Sequence, residues 1–76
     1  MTDKPFEATA RLYDEAAGEL ERALDHCRVA AKHFRNRDVP RGVAHAWAPY
    51  GHVLNAESRF EEQAREHAAK SSLPDD

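Results

Sequence analysis

Seventy-six residues, 41% of them hydrophobic and many of those alanine, permit one domain with a small core. Fourteen acidic against eleven basic side chains leave a net charge of −3, poor material for gripping a phosphate backbone, so nucleic acid is not an expected partner. A lone cysteine, Cys27, excludes an internal disulfide framework, and no apolar stretch reads as a membrane span or secretory leader, so a cytoplasmic chain with no membrane contact is expected.

The first predicted helix runs over about residues 5–36. Thr2 or Asp3 can cap it, Pro5 suits its first turn, and Glu7 complements the positive end of its dipole. Phe6, Ala10, Tyr13, Ala17, Leu20, Leu24, Cys27, Ala31 and Phe34 fall at alternating steps of four and three, the seam of an amphipathic helix packed along another. Cys27 is expected to be a small buried apolar residue of that seam. Gly18 lies off it and reads as a plain defect costing about 1 kcal/mol against alanine.

Residues 36–42 form the turn, with Asp38 as N-cap of the second helix and Pro40 in its first turn. That helix is predicted over about residues 39–70. Its seam is Val43, Ala46, Tyr50, Val53, Glu57, Phe60 and Ala64, and the apolar phase continues past Pro49, so a kink over 45–51 is expected rather than a break. The fold class is therefore all-α: one domain, residues 1–70, forming an antiparallel two-helix hairpin kinked near Pro49, with a disordered tail over 71–76. A hairpin touching its partner helix along one stripe encloses little, so two copies are expected to close a four-helix bundle.

The flanks of the seams carry the functional expectation. Ala16, Ala23 and Ala30 repeat every seven residues on one side, and Trp47 and Leu54 do so on the other. Both rows, with Tyr50, are read as subunit or partner contacts, with Trp47 as an anchor. Histidine invites a second reading. His26 and His33 share one column, His45 and His52 another, and an antiparallel register sets His33 level with His45 and His26 level with His52. Seven residues rise roughly 10 Å, however, so neither pair chelates one ion from its own helix. The columns are also expected to face outward, so added metal should leave the melting point of a single hairpin unchanged. No metal site and no cofactor are therefore assigned; His26, His33, His45, His52 and Glu57, the carboxylate of the second seam, are the candidates if subunits were to complete one. No nucleophile stands with a base, and no phosphate loop is present, so the chain is not expected to be an enzyme.

His33-Phe34, Asp38, Ala46-Trp47-Ala48, Tyr50-Gly51-His52 and Ala56 together resemble an archaeal helical-hairpin family, the domain of unknown function 357. The resemblance covers about residues 30–56. It implies an antiparallel helical hairpin of archaeal origin and carries no activity with it. The chain departs from that pattern in having Pro49, in lacking the turn glycine and in extending well past the matched region. Three functions follow in order: a non-enzymatic interaction or scaffold module acting through homodimerisation and a partner-binding helical face; a metal- or small-ligand-binding bundle using the His/Glu set between subunits; and a nucleic-acid accessory using the basic turn of Arg28, Lys32, Arg35, Arg37 and Arg41.

Overall fold

The computed structural model describes residues 6–71. The expected caps at Thr2 or Asp3, the first-turn Pro5 and tail residues 72–76 lie outside them. Three helices follow in order: α1 (Glu7–Arg35), α2 (Val39–Ala46) and α3 (Ala48–Lys70). Helices α2 and α3 make one bent arm that runs back along α1, so the described residues form an all-helical hairpin.

The turn is closed by backbone geometry. Arg37 N–H donates to the Phe34 carbonyl at 3.0 Å and Asp38 N–H to the His33 carbonyl at 2.8 Å. That crossed pair is the Schellman closure of a helix C-terminus, and it places Arg37 at φ 60°, the left-handed position that glycine usually fills. Asp38 then starts the second arm as expected, its carboxylate accepting from the Arg41 N–H at 3.3 Å. The bend falls at Trp47, whose backbone stays in the right-handed helical region (φ −95°, ψ −15°). Pro49 has no N–H to offer the preceding turn, so the ladder is interrupted for one residue while the chain keeps its direction of coiling. At the far end the Ser71 hydroxyl donates to the His67 carbonyl at 2.7 Å. Ser71, expected in the tail, thus closes α3.

The arms meet along small side chains. Among the described residues the buried positions are Ala16, Ala23 and Ala30 of α1, Gly42 of α2 and Ala56 of α3. This corrects two expectations. The alanine row lies between the arms of one chain and is not an outward flank, and the four-three seam of larger residues lies along one side of that contact rather than at its centre. Methyl groups let two helix axes approach closely, whereas Leu, Tyr and Phe side chains would hold them apart; the bulky stripe is left beside the contact. The molecule is consequently a sheet of helix, 60 × 32 × 13 Å. Among the described residues the two arms are the only elements, so neither broad face is covered by another of them.

Candidate functional site

One broad face is apolar. Helical spacing places Tyr13, Leu20, Leu24 and Phe34 on the same side of the alanine row, and Val53 and Phe60 on the matching side of Ala56. The Tyr13 and Phe60 rings confirm that these sides coincide, meeting across the arms with centroids 6.2 Å apart. Leu20, Leu24, Phe34, Val53 and Phe60 are each 43–46% exposed although they carry the best-formed periodicity in the chain. Cys27, expected to be buried, is exposed with them. Trp47 is 77% exposed, and Leu54, two positions before the buried Ala56, projects from the side of α3 turned away from α1. Tyr50 is exposed as well. Glu57, a seam carboxylate that Tyr13, Arg22 or Arg59 was expected to satisfy, is instead exposed to water, with Arg59 on Glu15 at 3.2 Å and Arg22 on Glu19 at 3.6 Å. It does not join the histidines.

The opposite face holds those histidines, and here the expected orientation is reversed. The two columns do not face outward; they turn toward each other across the arms beside the alanine row and are partly shielded from water. The His33 and His45 rings stack with centroids 6.0 Å apart, and His26 and His52 do so at 5.4 Å, the pairing that the antiparallel register sets. Between these pairs the Nδ1 atoms of His26 and His45 lie 3.0 Å apart. One of the two nitrogens donates and the other accepts, so the two rings hold different tautomers. The result is a continuous ladder, His33, His45, His26, His52, rung by rung along the groove.

Glu19 ends the ladder. Its Oε1 accepts from His52 Nδ1–H at 2.8 Å and from Asn55 Nδ2 at 3.2 Å. The His52 hydrogen bond is the main reason that the Glu19 carboxyl titrates below the ordinary carboxylate range; the Asn55 bond adds to it, and the nearby Arg22 charge assists. Arg59 carries the groove onward, its Nε donating to Glu15 Oε1 and its terminal nitrogen to the Asn55 carbonyl, each at 3.2 Å. The sequence reading did not single out Glu19, and it placed Arg59 beside Glu57 rather than in this groove. The signal was present: Glu19 continues the His26–His33 column by a further step of seven, and Arg59 continues His45–His52 in the same way.

Two other surfaces carry less. Lys32, His33 and Arg35 occupy the last turn of α1, where cations complement the helix dipole, and Arg41 reaches Asp38 at 3.5 Å. A cleft at the open end of the hairpin is lined by Phe6, Thr9, Gln63, Glu66, His67 and Lys70. Among the described residues no three His, Cys, Asp or Glu side chains converge as an ion-enclosing cage, and no helix is long and apolar enough to cross a membrane. The chain matches no protein-family model, no curated protein and no solved structure.

Proposed function

We propose that the chain is a non-enzymatic helical interaction module that self-associates through its apolar face, two hairpins stacking into a four-helix bundle. The observation that supports this is the uncovered row of Tyr13, Leu20, Leu24, Phe34, Val53 and Phe60 on a layer one helix thick. In a bundle each helix touches its chain neighbour by a flank and points its main apolar stripe at the centre. Small residues between the arms and large ones on the open face have the form of half such a bundle. Buried methyl groups contribute roughly 0.8 kcal/mol each, so the alanine contact alone is a weak source of stability, and covering the face supplies what it lacks. Trp47 and Leu54, set at the outer side of the second arm, form the rim of the contact or a seat for a further protein. The same reading is compatible with the resemblance of residues 30–56 to the archaeal helical-hairpin family, which implies an antiparallel hairpin and nothing of its assembly.

Sedimentation equilibrium at micromolar concentration tests the proposal. The expected mass is twice the 8.6 kDa of the chain, falling to one chain for Leu20→Glu, which sets a charge in the middle of the face. A native chain that stays monomeric and melts cooperatively would refute it.

A further inference from the structure

We propose that His26 and His45 form a two-imidazole clamp for a late first-row divalent ion, copper(II) above others, with its remaining coordination positions open to water. The clamp lies within one chain, on the face opposite the apolar one, so it stands or falls independently of self-association.

The separation of the two nitrogens is that of a cis ligand pair, and a modest turn of each ring would aim both lone pairs at one ion. Imidazole nitrogens bind such ions at about 2.0–2.1 Å, so two of them on one ion are separated by about 2.9 Å at a right angle and about 3.4 Å at the tetrahedral angle. The Nδ1 atoms of His26 and His45 are 3.0 Å apart. They come from opposite arms, at positions that the antiparallel register sets beside each other. His52 stacks on His26 within 16° of parallel, and His33 on His45 within 19°. The flanking rings therefore restrain the planes of the two ligand rings, the kind of outer support that orients metal ligands. Without an ion, one Nδ1 carries the hydrogen shared between the pair. Coordination needs both lone pairs, so that proton moves to Nε2 of its own ring; both imidazoles stay neutral and no proton is released. Among the described residues no third ligand converges on the pair, which makes this an open clamp rather than a cage. Nitrogen donors select copper, nickel and zinc over magnesium and calcium, and copper(II) binds tightest of the series.

Full-length protein without a histidine tag, titrated with copper(II) chloride alone, tests the inference by electron paramagnetic resonance and by thermal melting. The expected result is one copper per chain, hyperfine coupling to two imidazole nitrogens and a raised melting temperature, with nickel and zinc weaker and magnesium without effect. His26→Asn and His45→Asn should each weaken copper binding by about tenfold or more, because the chelate gain is lost. His67→Asn, outside the ladder, should leave it unchanged. Coupling to a single nitrogen, copper retained by both ladder variants, or loss of copper in His67→Asn would each overturn the clamp. If a ladder variant fails to fold, the nitrogen count on the unaltered protein decides.

Discussion

Gly42 is buried where the arms cross, and a methyl group built there would stand 2.7 Å from the Cε1 and Cζ atoms of Phe34. Alanine is the better helix former by about 1 kcal/mol, but it would lift the Phe34 ring off the second arm, and overpacking of this kind costs about 1–3 kcal/mol. Gly42→Ala should therefore destabilise the hairpin by about 1 kcal/mol, and in a Phe34→Ala background the same change should stabilise it. Urea unfolding of the four species measures the coupling; a stabilising effect in both backgrounds would mean that the ring moves aside freely. Gly51, with nothing within 4 Å of its added methyl, is the control, and Gly51→Ala should stabilise. Arg37 presents the reverse case. An L-residue held at φ 60° is strained by about 1 kcal/mol, and glycine relieves that at some cost in unfolded-chain entropy. Arg37→Gly should gain about 0.5 kcal/mol by the same measurement, with the oligomeric mass unchanged.

Between elements, the contact with a pH signature is the Glu19–His52 bond linking α1 to α3. The folded carboxyl titrates below its ordinary value of 4.5, so it binds fewer protons folded than unfolded at intermediate pH. Its contribution is complete above 4.5 and is lost as pH falls through the lower folded value. Thermal melts should show stability falling below that pH, and Glu19→Gln should flatten that part of the profile. An unchanged slope would assign the acid sensitivity to other carboxylates. The elements themselves were largely legible: Asp38 as a cap, the short turn, the helical phase carried through Pro49 and the histidine register all follow from spacing. Which stripe turns inward did not follow. Periodicity groups Leu20 with Tyr13 and Phe34, and separately Ala16 with Ala23 and Ala30, but two stripes on one helix both satisfy it. The choice between them depends on how closely two axes approach, a property of both arms together. Reading the large stripe inward also turned the histidines outward, so one misplaced face produced both errors.

At the scale of the whole molecule, the two faces of the layer make different demands. Under the proposed self-association, side chains near the middle of the apolar face should matter more than those at its edge. Phe60→Ala, which also removes the ring packed against Tyr13, should weaken self-association by more than about 1 kcal/mol, the level that marks an energetic anchor. Trp47→Ala at the outer side should weaken it less. Concentration-dependent sedimentation of both variants checks the order, and the reverse order would move the contact to the back of α3.

If the proposed pairing holds, a hairpin whose described residues bury nothing larger than alanine would tie its folded population to its own supply. For a chain that folds as it pairs, stability cannot be separated from protomer concentration. Well below the dissociation constant the paired form scales with the square of the total, so halving synthesis leaves about a quarter of the assembled protein. On that reading the unpaired remainder, its helices covered on one edge only, would be the more open to proteolysis. Under the proposed pairing, abundance itself would act as the threshold: gene dosage and turnover would set when this thin layer becomes a working surface.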